Sequence, residues 1–154
     1  MKFTFRKTRD LISPDLARRA DKAKKPKAAL EAMGLAVVSL ATRAFTQAIL
    51  RPSTWSPLKA ATIKAKKRLG YGSKPLVRSG ALAHSPRVIK TTSKTVSVGS
   101  DRAVKGKSLA AIHQYGTKEI PARPTWPFDQ NGRITSAGYL NVKAAARAAL
   151  KLER

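Results

Sequence analysis

The chain has no cysteine. That excludes disulfide frameworks, thiolate zinc sites, iron–sulfur clusters and cysteine nucleophiles. It has only two histidines, His84 and His113, and neither stands in a metal-ligand spacing such as H-E-x-x-H. Carboxylates are scarce: Asp10, Asp15, Asp21, Glu31, Asp101, Glu119, Asp129 and Glu153 are all there are. With no close pair among them, a glycosidase dyad or a two-metal site would have to be assembled from remote loops. The run Gly70-Tyr71-Gly72-Ser73-Lys74 lacks phosphate-loop spacing, and Ser79-Gly80 is not part of a G-x-S-x-G elbow. Aromatics make up 6% of the chain, too few and too scattered for a stacking platform. No apolar run approaches the roughly 18 residues that a membrane helix requires, so no membrane contact is expected. Met1 to Asp10 is basic but has no apolar h-region, so no secretory signal is read there and a cytoplasmic product is expected. These absences point away from an enzyme and away from any metal or cofactor.

Positive charge is present in excess. Lys and Arg number 32 against 8 acids, a formal net charge of +24, and not one carboxylate stands between Glu31 and Asp101. Such a chain repels itself and is drawn to an acidic protein surface or to DNA, although solubility alone also accounts for a basic surface. At 154 residues and 42% hydrophobic, it is long enough for one globular domain without staples.

Apolar spacing places the elements. Residues 1–26 read as a basic N-terminal arm followed by a helix opened by Ser13, Pro14 and Asp15 and broken at Pro26. Residues 27–154 read as a single α+β domain. Its strongest helix is expected from Lys27 to Leu50, with Leu30, Met33, Val37, Leu40, Ala41, Ala44, Phe45 and Ala48 in a stripe that Ile49 widens. The stripe suits either core packing or a neighbouring subunit. A second helix is expected from Leu58 to Leu69, capped at Ser56 and Pro57 and stopped by Gly70. Its outer face carries a basic surface of Lys59, Lys64, Lys66, Lys67 and Arg68. One or two helical turns are expected around Ser79-Gly80. Val88 to Gly99 changes to a period of two and predicts a hairpin. Asp101 to Lys107 reads as a charged loop, Ser108 to Tyr115 as a short helix ended by Gly116, and Ile120 to Phe128 as an extended segment. A final Ala-rich helix is expected from Gly138 to Leu152. The fold class is therefore α+β: a long N-terminal helix and further helices packed on a small antiparallel β-sheet.

Five short words in the chain go further than composition does. Trp55-Ser56-Pro57-Leu58 with Thr62 resembles the W-x-P-L-x-x-x-T opening of phage virion morphogenesis (tail completion) proteins. Leu76 to Leu82, containing Ser79 and Gly80 and followed by Ser85, looks like that family's L-x-x-S/T-G-x-L-x-x-S element. Val96 to Gly99 is similar to its V-x-V-G strand. Ala111 to Gly116, containing His113 and Gln114, looks like its I-H-Q-x-G word. Ile120-Pro121-Ala122-Arg123-Pro124 resembles I-P-A-R-P, with Trp126 close behind. The words stand in order over Trp55 to Phe128, about half of the chain.

The resemblance implies a structural component of the virion, assembled in the host cytoplasm, that completes the tail or joins tail to head at the neck. It implies a homo-oligomeric ring, expected to be a hexamer. It also implies contacts with other neck, tail tube or tail terminator proteins, and contact with DNA in the channel. Physical roles follow for the matching residues. Trp55 and Leu58 are expected to anchor the helix start across its cap. Gly80 permits a close backbone approach or a conformation closed to other residues. His113 and Gln114 suit a helix-end lock beside Gly116. Pro121 and Pro124 stiffen an arm holding Arg123, which suits either an intersubunit or interdomain carboxylate or an intrachain salt bridge. Trp126 and Phe128 suit core or interface. The rival reading is a general basic nucleic-acid-binding protein.

Overall fold

The computed structural model describes residue 21, residues 26–129 and residues 131–150. The expected arm and the helix start at Ser13, Pro14 and Asp15 lie outside the described residues. The first described helix, α1, spans Lys27–Arg43, followed by a 3-10 turn at Ala48–Leu50 and by α2 at Ala60–Arg68. Strands β1 (Pro86–Thr91) and β2 (Val96–Ser100) form one antiparallel pair, and β3 (Ala103–Val104) and β4 (Lys107–Ser108) a second. Helices α3 (Leu109–Tyr115) and α4 (Ser136–Ala149) complete the α+β order.

Helix α1 is the centre of the molecule, packing on α4 on one side and on the β1–β2 hairpin on another. Its Val37 and Ala41 meet Trp126 and Val142 of α4 in the buried core, bordered by Met33, Val98, Phe128 and Ile134. Close approach to the hairpin depends on Gly34, where a Cβ would stand 2.6 Å from a Val96 methyl and 3.1 Å from a Val88 methyl. The hairpin pairs Val88 with Val98 and Lys90 with Ser97, so Ile89 is an extra, bulged residue. That bulge leaves Ile89 62% exposed.

Three expectations on boundaries are corrected. Helix α1 stops at Arg43, about 26 Å after its start, rather than continuing to Leu50. The Arg51 guanidinium reaches back to the carbonyls of Ala44 (2.8 Å) and Phe45 (3.3 Å), supplying the partners that another helical turn would have given them. Ala44 and Phe45 just past that stop are still buried, but Ile49 is 86% exposed. Helix α2 starts at Ala60, and neither Ser56 nor Pro57 opens it, because the carbonyls of both are taken by the Arg123 side chain (3.0 and 3.2 Å). The charged loop after Asp101 contains the small β3–β4 hairpin. Lys105 (φ 50°) and Gly106 (φ 72°) form its two-residue turn, both left-handed as such turns require.

Other boundaries fall where the residues put them. Gly70 (φ 75°) ends α2 in a Schellman motif, with Tyr71 N–H on the Lys66 carbonyl and Gly70 N–H on that of Lys67. Ser108 caps α3 through Ala111 N–H (3.3 Å). Thr135 caps α4 through Gly138 N–H (3.1 Å), and the helix begins at Ser136, two residues before the expected start at Gly138. The segment around Ser79-Gly80 forms turns with one helical bond, from His84 N–H to the Gly80 carbonyl.

Candidate functional site

The extended segment from Ile120 to Phe128 is too rich in proline to make a regular ladder, so side chains satisfy its backbone. Gln114, buried on α3, does most of this. Its Oε1 accepts from Thr125 N–H (3.2 Å) and Trp126 N–H (3.1 Å), while its Nε2 donates to the Phe128 carbonyl (2.8 Å). One amide thereby plays the part of a missing strand. Arg123 N–H donates to the His113 carbonyl at 2.7 Å, joining the same two elements.

Arg123 works in the opposite direction. It is buried, and it donates to the Ser56 and Pro57 carbonyls rather than to a carboxylate. Trp55 fixes the same junction: its Nε1 donates to the Pro124 carbonyl at 2.9 Å, its ring packs edge-on against Phe45, and the Arg51 guanidinium lies 3.7 Å from the ring centre. Trp55 is thus tied to Phe45, Arg51 and Pro124. Gly116 closes the far end. At φ 77° and ψ −178° it occupies a region open essentially to glycine, and a Cβ there would lie 2.9 Å from Ala122 N. Trp126 belongs to the core and Pro124 is buried beside it in sequence, whereas Pro121 is exposed.

These ties frame a cleft of about 650 Å³. The family words that lie far apart in sequence meet on its walls. Leu58 and Thr62 come from the first, Ser79, Gly80 and Leu82 from the second, His113 from the third helix, and Arg123 from the extended segment. The V-x-V-G word packs elsewhere, through Val96 and Val98 under α1. Lys66, expected on the outer basic face, instead turns inward: its ammonium donates to the carbonyls of Lys74 (2.6 Å) and Val77 (2.8 Å). Lys59, Lys64, Lys67 and Arg68 do remain exposed. Between the two carbonyls that Lys66 holds, Leu76 takes a left-handed φ of 58°, a strained conformation for a branched side chain.

Among the described residues four cations line the cleft, Lys66, Arg78, Arg102 and Arg123, and no carboxylate does. The nearest acid in sequence, Asp101, pairs with Arg87 at 3.1 Å. Burial, and secondarily the Arg123 charge, push the His113 pKa below its ordinary value and favour the neutral ring. Its Nδ1 is buried without a hydrogen-bond partner. Sequence reasoning missed Arg51, Tyr71, Arg78 and Arg102. Arg51 stands four residues before Trp55, which is a faint signal, but the others are drawn in by loops that no periodicity describes. Among the described residues no cluster of His, Asp and Glu is placed to hold a metal, and no helix is long and apolar enough to cross a membrane.

The geometry defines a small α+β module in which the recurring side chains brace irregular backbone around an open basic cleft. A sequence model described as the phage virion morphogenesis family matches residues 11–154. The chain belongs to that family, and it is a bacteriophage protein with a role in virion morphogenesis. The match extends in both directions beyond the five words. Neither the curated proteins nor the solved structures gave a match.

Proposed function

We propose that this protein completes the tail at its head-proximal end or joins the tail to the head at the neck, as one subunit of a closed ring. It acts by binding and not by turnover. The observation that carries this reading is how the motif side chains are used. Gln114, Arg123 and the Trp55 indole all bond to backbone groups and hold a shaped surface in place. A ring needs heterologous patches on two faces of each subunit. Candidates are the large apolar side chains left in solvent, among them Leu35, Ile89, Tyr115 and Leu140, each more than half exposed. Ile89 and Tyr115 flank a shallow groove of about 300 Å³ that Trp126 and Phe128 also line. The proposed partners are copies of the chain, with six per ring, and neck, tail tube or terminator proteins.

Electron microscopy of particles made without this protein tests the assignment. Full heads and finished tails that fail to join support it, whereas normal infectious particles overturn it. A second reading, general nucleic-acid binding, draws on the exposed row of Lys59, Lys64, Lys67 and Arg68. It requires duplex affinity that falls steeply with salt, and negligible affinity at physiological salt removes it.

A further inference from the structure

The cleft is built, and the described residues that line it carry positive charge only. Lys66 pins the loop on either side of the strained Leu76, and Arg123 pins the 56–57 segment, so both walls are fixed by buried or half-buried cations. Their donors go to neutral carbonyls, and no carboxylate among the described residues lines the cleft beside them. Arg78 adds its guanidinium, 4.9 Å from the centre of the Tyr71 ring, and Arg102 lies on the rim. Between these charges the lining is apolar, with Leu58, Leu82 and Leu109. A concave wall of mixed leucine and arginine does not fit a sugar–phosphate backbone, which needs an open basic face. It fits a polypeptide that presents a carboxylate next to an apolar side chain.

We propose that this cleft receives an acidic segment of a neighbouring virion protein, with a carboxylate set among Arg78, Arg102 and Arg123 and an apolar side chain against Leu58 and Leu82. The inference rests on the assembly role above and names the surface and the chemistry of its partner. A second copy of this chain is a poor occupant, since each copy carries 8 acids against 32 bases. Of those acids, Asp101 is paired with Arg87, and Asp129 accepts from the Asn131 and Arg133 amides of its own turn.

The test uses whole particles. The chain carries Ser79→p-benzoylphenylalanine at an exposed position of the cleft wall, and the particles are irradiated and digested. The expected product is a cross-link to an Asp- and Glu-rich segment of a different virion protein. A chain present in particles but cross-linked to DNA, to its own copies or to nothing overturns the cleft assignment. A chain absent from particles overturns the assembly role instead. In parallel, Arg78→Glu with Arg102→Glu is expected to lower the cross-link yield roughly tenfold, while Lys90→Glu with Lys94→Glu, the same charge change on the hairpin, lowers it less than about twofold. Equal losses for the two pairs mean that net charge alone is read, and they overturn the proposal. All four positions are exposed, and circular dichroism checks that each variant keeps the fold.

Discussion

Replacing Gln114 by alanine removes the one side chain that satisfies three backbone groups of the extended segment. Thr125 N–H and Trp126 N–H lose the Oε1 acceptor, and the Phe128 carbonyl loses the Nε2 donor. A buried polar group left without a partner costs about 1–3 kcal/mol. Some of that cost is recovered by water, because a small depression of about 130 Å³ lined by Pro52, Ser53 and Pro124 adjoins Gln114. The net loss is therefore set at about 3 kcal/mol, a large part of the 5–15 kcal/mol typical of a domain. At this size that corresponds to a fall in Tm of about 10 °C. Urea titration followed by tryptophan fluorescence is a direct assay, since Trp126 lies in the segment, Trp55 bonds to it at Pro124, and both are buried. Gln114→Met separates the causes, because it refills the volume and restores no hydrogen bond. Methionine should destabilise nearly as much as alanine. If methionine recovers most of the lost stability, or if alanine costs less than about 1 kcal/mol at an unchanged m-value, the side chain is filler and the reasoning fails.

Four further perturbations follow from the same geometry. Gly116→Ala combines a left-handed φ with a backbone clash at 2.9 Å and should cost more than about 2 kcal/mol, whereas Gly132→Ala, with nothing within 4 Å, should cost about 1 kcal/mol; urea midpoints rank the two. Gly34→Ala gains about 1 kcal/mol of helix propensity but drives a methyl to 2.6 Å from Val96, so the net change in Tm should be downward. His113 has a lowered pKa in the folded state, so the unfolded chain binds its proton first. The His113 contribution to stability is intact above about pH 6.5 and is lost as pH falls from there toward the folded value, and His113→Asn should flatten that part of the urea-midpoint profile. Arg123→Lys keeps the charge but loses the fork that reaches both the Ser56 and Pro57 carbonyls, and should lower the urea midpoint by the equivalent of about 1–2 kcal/mol.

Local rules read this chain well wherever a short-range device sets the structure. The Gly70 stop, the Ser108 cap, the Gly116 termination and the alternation of Val96 and Val98 each involve residues within a turn or two of one another. The α+β class follows from the same signals. The rules fail where a distant side chain takes over a backbone group. Ser56 and Pro57 look like a helix start, yet Arg123, 66 and 67 positions away, captures their carbonyls and holds that stretch extended. The apolar stripe beyond Ala44 looks like more helix, yet Arg51 folds back over its end. The words on the cleft walls were legible only as words. Nothing in the spacing of Thr62, Ser79, His113 and Arg123 indicates that they share one cavity, because the ties that bring them together run through backbone atoms, which carry no sequence signature.

Those ties also explain why so few aromatic and acidic residues suffice. The cleft walls come from segments with little regular structure, and a core built on Val37, Ala41, Trp126 and Val142 alone does not reach them. Arginine, glutamine, lysine and an indole N–H, each bonded to main-chain groups, extend the order of that core outward to the walls. Carboxylate partners for the cations would stabilise the loops as well, but they would neutralise the cleft. Main-chain carbonyls fix the position of a cation and leave its charge uncompensated. The carboxylate-free stretch between Glu31 and Asp101 supplies Lys66 and Arg78 to that wall, and under the proposed docking it keeps this side of the cleft positive for an acidic partner.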